Sequence, residues 1–199
     1  MKKRIAVLVS GGGTNLQALL EAEAAGKIPH GEIAMVISNN PNAYALERAK
    51  QNGIPAAVIS KKECGSQAAF EAQIQAVLER NGTDLIILAG FMCILSENFT
   101  SKWPKRILNV HPSLIPSFCG EGFYGLRVHQ AALDYGVKVT GATVHYVNEI
   151  PDGGEIIAQK AVYIEDGDTP EILQRRVMEQ AEWILLPRAI EKVAKEMLA

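Results

Sequence analysis

The sequence predicts an α/β fold with a mostly parallel central sheet and helices on both faces. Three observations predict it. Short β-branched runs alternate with helical patterns through the first half of the 199 residues. The run Asp84-Leu-Ile-Ile-Leu-Ala89 is apolar almost throughout, as a strand covered on both faces requires. No internal repeat, low-complexity tract or Pro/Ser-rich linker interrupts the chain, so one domain is expected.

The elements follow in order. Strands are expected at 4–9, 32–37, 56–59, 84–89 and 106–110, with helical patterns beginning near Asn15, Ala43 and Gln67. After Val110 the rhythm changes. Residues 112–124, rich in proline and glycine, read as a long loop, and long loops in small domains are often functional. A helix at 125–135 precedes strands at 137–147 and 155–164, which residues 148–154 join. The last helix should start after Asp168, with Thr169 as cap and Pro170 in its first turn. Pro187 is expected to interrupt or bend it.

Composition narrows the function. The net charge of −2 comes without any basic block, which argues against nucleic acid or a membrane surface as partner. No segment is long and apolar enough to cross a bilayer, although hydrophobic residues make up 48%. The basic start is followed by an apolar run at 5–9, too short for a signal core and ending in glycines, so a first strand is the better expectation. Cys64, Cys93 and Cys119 lie far apart without metal-ligand spacing. That pattern suits a reducing cytosol, predicts no metal site, and leaves small molecules as the expected partners.

Two constellations carry chemistry. The first is Ser10-Gly-Gly-Gly-Thr-Asn15, between strand 4–9 and a helical pattern. Glycines bring backbone N–H groups close to a ligand, and a helix start adds free donors and a positive dipole end. Thr14 and Asn15 can cap that helix or donate to a phosphate. The loop lacks the lysine of a Walker motif, and Leu16 stands where a dinucleotide fingerprint needs its third glycine. Ser38-Asn39-Asn40 also lacks the acid that a dinucleotide's ribose requires. A single phosphate on a small metabolite fits better, and a ligand-free tight turn is the plain alternative.

The second constellation is Asn109-Val-His111-Pro-Ser113 at a strand's carboxyl end, where ligands gather in parallel sheets. Residues two apart in extended backbone point to one side, so Asn109 and His111 could share an oxyanion. A strand-end asparagine beside a core histidine is the alternative. Asp152, in Ile150-Pro-Asp-Gly-Gly154, is ordinary turn chemistry by itself, but a histidine that moves protons needs a carboxylate partner. His145 could line the same pocket or be a satisfied sheet histidine.

Ser10-Gly-Gly-Gly-Thr-Asn-Leu-Gln17, Leu88-Ala-Gly-Phe-Met-Cys-Ile-Leu95, Asn109-Val-His-Pro-Ser-Leu-Ile-Pro116, Gly141-Ala-Thr-Val-His145 and Asp152-Gly-Gly154 together resemble the folate-dependent formyltransferases. The likeness covers essentially the whole chain, and the Gly-rich loop with Asn-Leu-Gln selects the glycinamide-ribonucleotide branch. It implies a Rossmann-like formyltransferase fold with an antiparallel C-terminal strand. It also implies formyl transfer from 10-formyltetrahydrofolate, a co-substrate, to the ribonucleotide amine in purine synthesis. Asn109, His111 and Asp152 take the catalytic roles, and Gly13, Thr14 and Asn15 hold the phosphate. Glu182 corresponds to an acid that holds the ribose. The folate walls implied are Gln67, Met92, Cys93, Ile94, Leu95, Asn109, Asn148, Glu149, Ile150, Pro151 and Asp152.

One domain over 1–199 is expected, with a phosphate-binding half at about 1–105 and a catalytic and folate-binding half at about 106–199. The expected assembly is a monomer or weak homodimer in the cytoplasm. This chain departs from the family pattern at several points. Cys93 replaces a common arginine, Gln67 falls where some members carry a base, and Trp183 follows Glu182 where histidine is usual. Segment 119–124 is lengthened, with Cys119 in place of a frequent proline. Rival expectations are a formyltetrahydrofolate hydrolase, a formyltransferase acting on another amine, and a non-catalytic phosphometabolite-binding module. The hydrolase, and a formyltransferase whose amine is methionyl-tRNA, usually carry extra domains, for which 199 residues leave no room.

Overall fold

The computed structural model describes residues 2–199. Seven strands form one sheet in the order β3-β2-β1-β4-β5-β6-β7. β1 (Lys3–Val9), β2 (Gly31–Ser38), β3 (Ala56–Val58), β4 (Leu85–Leu88) and β5 (Ile107–His111) are mutually parallel. β6 (Val139–Tyr146) is reversed against β5, and β7 (Ile156–Tyr163) is antiparallel to β6. The single reversed strand is therefore β6, and β7 runs with the parallel set.

Alternation along β1 explains the layers. Ile5, Val7 and Val9 face one apolar cluster, while Ala6 and Leu8 face the other. The first cluster receives Leu16, Leu19 and Leu20 of α1 (Thr14–Ala24) and Ala45 and Ala49 of α2 (Tyr44–Gln51). The second receives Phe70, Ile74 and Leu78 of α4 (Gln67–Arg80). Each large aliphatic side chain buried in these layers contributes roughly 1.5–3 kcal/mol. Two one-turn helices, α3 (Lys61–Cys64) and α5 (Glu97–Thr100), stand where no helix was expected.

α6 (Leu126–Tyr135) packs against α7 (Pro170–Val177). Thr169 caps α7 as expected: its hydroxyl accepts from Ile172 N–H at 3.3 Å, and Pro170 opens the first turn. Pro187 does not break the last helix. It lies inside α8 (Trp183–Glu196), and the irregularity is a π-turn at Met178–Glu182 one turn earlier. That wider turn directly precedes Trp183, whose carbonyl Pro187 leaves without an N–H partner. No helix among the described residues is long and apolar enough to cross a membrane.

Candidate active site

At the carboxyl end of β1 the chain turns through Ser10–Gly13 into α1. Gly13 has φ 70°, in the left-handed region, and a Cβ there would lie 2.6 Å from Ala45 Cβ. Only glycine fits, and no side chain caps the helix, so its first N–H groups face outward. The Asn15 amide donates to Glu182 Oε2 at 2.7 Å, and Asn15 Oδ1 is buried without a partner. Thr14 Oγ1 approaches only Met178 Sδ, at 3.7 Å. Burial pushes the Glu182 carboxyl up to about 7, against the single Asn15 bond that favours its ionised form. Glu182 is the last residue of the π-turn and is buried against the start of α1, where it meets Asn15.

Beyond the ends of β4 and β5 lies a cleft of about 680 Å³. Antiparallel register sets its floor: Asn109 pairs with His145 and His111 with Thr143. Thr143 Oγ1 donates to the Ser113 carbonyl at 2.7 Å and accepts from Ile115 N–H at 3.1 Å, fastening the segment after His111 to β6. On the other side, Gly154 lets loop 148–154 lie against β6, since a Cβ there would run into the Tyr146 carbonyl. Asp152 takes the left-handed region at φ 54° and turns its carboxylate into the cleft.

The Asp152 carboxylate is the hub. It accepts from Gly120 N–H at 2.9 Å and from the Asn109 amide at 3.4 Å. His111 Nδ1 stands 3.4 Å and His145 Nε2 3.5 Å from its oxygens. Each imidazole is oriented by a backbone carbonyl on its other nitrogen. His111 Nε2 donates to Phe118 at 2.8 Å and His145 Nδ1 to Tyr146 at 2.8 Å. The Asn109 amide also lies 3.2 Å from His145 Nε2. Burial alone would raise the Asp152 carboxyl, but His145, His111 and the Gly120 N–H outweigh it and lower it. Burial lowers the His111 imidazole despite the pull of Asp152. The floor therefore holds an ionised carboxylate between two imidazoles, with an amide at hand.

The structure brings together Asn109, His111, His145 and Asp152, and lines the same cleft with Met92, Cys93, Ile94, Leu95, Asn148, Ile150 and Pro151. Gln67 and Glu149 stay outside the lining. The Gln67 amide donates to Glu71 and, at 3.1 Å, to the Ile94 carbonyl, so it backs the wall, while Glu149 faces a separate cavity of about 300 Å³. Gly13, Thr14, Asn15 and Glu182 form the neighbouring loop site rather than the cleft. Ser10 joins the two, its hydroxyl accepting from Met92 N–H at 2.8 Å.

Phe91, Gly120 and the 121–125 segment also line the cleft; the loop over 112–124 was expected to be functional, but none of these residues was singled out. The positive φ of Gly120 and Gly122 follows from their glycines. The contact of Phe118 with Phe123 and Tyr135, at centroid distances of 6.4 and 6.0 Å, had no sequence signal. No group of three or more His, Cys, Asp or Glu among the described residues is placed to hold a metal.

A model of the family described as formyl transferase matches residues 3–190. The chain belongs to the formyl transferase family. It is 43% identical over 189 residues to the phosphoribosylglycinamide formyltransferase of Haemophilus influenzae, covering 95% of this chain and 86% of that one. It is 46% identical over 194 residues to the bovine trifunctional purine biosynthetic protein adenosine-3, covering 97% of this chain. This formyl transferase chain spans only 18% of the bovine protein's length and 61% of the chloroplastic phosphoribosylglycinamide formyltransferase of Arabidopsis thaliana. Among solved structures, glycinamide ribonucleotide transformylase 1 from Symbiobacterium toebii superposes with a TM-score of 0.91 at 42% identity, covering 98% of this chain and 89% of that one.

Proposed function

We propose that this chain transfers the formyl group of 10-formyltetrahydrofolate to the amine of phosphoribosylglycinamide, giving formylglycinamide ribonucleotide and tetrahydrofolate in purine synthesis. The observation that carries this reading is the meeting of Asn109, His111, His145 and Asp152 on the floor of one cleft. The glycine loop adjoins that floor through Ser10 and Met92. Substrate phosphate sits on the N–H groups at the start of α1, with Glu182 and Asn15 toward the ribose. Folate lies between the 91–95 wall and loop 148–152.

The neutral amine attacks the formyl carbon. Its carbon–nitrogen bond forms as the carbonyl becomes an oxyanion, and collapse then breaks the bond to folate N10. Holding both reactants in one cleft removes the entropic cost of their meeting. Asn109 donates to the oxyanion, and His111 donates through Nδ1–H while it holds the proton it shares with Asp152. The present bonds of the Asn109 amide, 3.2 and 3.4 Å, are long and are exchanged for the oxyanion at small cost. The attacking amine loses one proton and folate N10 gains one. Asp152, held ionised, receives and returns that proton with His111. The expectations of one working domain over 1–199, a cytoplasmic site and a monomer or weak homodimer belong to the same proposal.

The test is release of tetrahydrofolate from 10-formyltetrahydrofolate with and without glycinamide ribonucleotide. Release that depends on the amine and yields stoichiometric formylated amine is the expected result. Release that ignores the amine identifies a hydrolase and overturns the proposal.

A further inference from the structure

Three consecutive carbonyls of the glycine loop are held from one side by residues 40–48. The Asn40 amide donates to the Ser10 carbonyl at 3.2 Å, Ala45 N–H to that of Gly11 at 3.1 Å, and Arg48 Nε to that of Gly12 at 2.8 Å. In a planar trans peptide the N–H points opposite to the carbonyl of the preceding residue. Fixing carbonyls 10, 11 and 12 toward α2 therefore turns the N–H groups of Gly11, Gly12 and Gly13 away from it. Gly11 and Gly12 are exposed, and a Cβ on either would meet nothing within 4 Å, so no side chain crowds the turn. The free donors are thus a consequence of the clamp behind them.

Arg48 is the charged member of that clamp. Besides Gly12, its guanidinium donates to Gln17 Oε1 at 3.0 Å and stacks over the Tyr44 ring at 5.0 Å. Its Cδ would lie 3.5 Å from a Cβ on Gly13, so the stem runs directly beneath the turn. We infer that Arg48 is a positioning residue that sets the chain's preference for a phosphorylated amine, by holding the Gly12 peptide and by placing a fixed positive charge behind the loop. This rests on the function proposed above. Lysine cannot replace it, because an ammonium has no planar fork to hold two acceptors at once.

The experiment compares kcat/KM for phosphoribosylglycinamide and for its dephosphorylated riboside, at saturating formyl donor, in wild type, Arg48→Ala and Arg48→Lys. In Arg48→Ala the preference for the phosphorylated substrate falls by about tenfold or more, through KM. The riboside's kcat/KM and the donor's KM stay within about twofold of wild type, and Arg48→Lys recovers only part of the loss. An unchanged preference in Arg48→Ala, or equal losses on both amines, overturns the inference. Should Arg48→Ala fail to fold by circular dichroism, Arg48→Gln carries the same comparison, because its amide can still reach Gly12 without the charge. If wild type formylates neither amine, the proposed function fails. Calorimetric titration with inorganic phosphate then decides the role of Arg48: weaker binding in the variant supports it, and equal binding refutes it.

Discussion

The two halves of the site each bury one carboxylate, and their surroundings push the two in opposite directions. Glu182, beside the glycine loop, has one hydrogen-bond partner and rises to about 7. Asp152, on the cleft floor, has an N–H, an amide and two imidazoles around it and falls below the ordinary carboxylate value. Burial raises both, most strongly Glu182, which is buried completely. At Asp152 the partners offered to the ionised form outweigh burial, and at Glu182 the single amide does not. The loop half accordingly offers backbone groups beside a carboxyl that readily keeps its proton, while the cleft half holds an ionised carboxylate among donors.

The sharpest way to break this contrast is to remove the charge on the cleft side. Asp152→Asn is expected to keep the fold and to lower kcat by at least ~100-fold, since proton transfer loses its base. Single-turnover kinetics beside a thermal melt check it. Near-normal turnover would leave Asp152 as a turn residue only. On the other side, Glu182→Gln should change stability rather than chemistry alone. The folded carboxyl has the higher pKa, so its proton favours the fold below about 4.5, and that stabilisation is lost as pH rises through about 7. Wild type should lose roughly 2–3 kcal/mol relative to Glu182→Gln between pH 5 and 8. Parallel curves in urea melts across that range would refute the assignment. The Asp152 contribution has the opposite sign: it is present above its unfolded value of 3.8 and lost as pH falls through the lower folded value.

The loop half has its own steric test. Gly13→Ala puts a methyl 2.6 Å from Ala45 Cβ at a left-handed φ, and should cost about 2 kcal/mol. It should also weaken the phosphorylated substrate more than the formyl donor, because the N–H groups move with the turn. Equal KM changes for both substrates would separate the loop from phosphate binding.

How much of each half was legible follows from the same contrast. The glycine loop could be read because glycine marks a backbone site by composition, and the strands because apolar runs mark a sheet buried on both faces. Asn109 and His111 could be read from their spacing of two. His145 could not be placed, because its approach to Asn109 depends on the register of β6 on β5, which neither strand encodes alone. The one-turn helices α3 and α5 are too short to show a 3.6-residue period. Pro187 misled because a proline's effect depends on the turn before it, and a π-turn has no sequence signature of its own. Gln67 and Glu149 missed the cleft by their side-chain directions, which the order of residues leaves open.

The smallest expected effect tests how the two halves of the floor are kept in register. Thr143 Oγ1 is a buried node that donates to Ser113 and accepts from Ile115 N–H and from Gln159 Nε2 at 3.0 Å. Thr143→Val keeps the β-branched shape but leaves a half-buried N–H and a buried carbonyl without that partner. The cost should be about 1–3 kcal/mol in stability. Because Thr143 pairs with His111 across β5 and β6, loosening it frees the segment that carries Phe118 and so the orientation of His111. kcat should fall a few-fold while KM for the phosphorylated amine stays put, since the glycine loop belongs to the other half. A KM change as large as the kcat change would mean that the two halves are mechanically one, and that the division between backbone site and side-chain site is only descriptive.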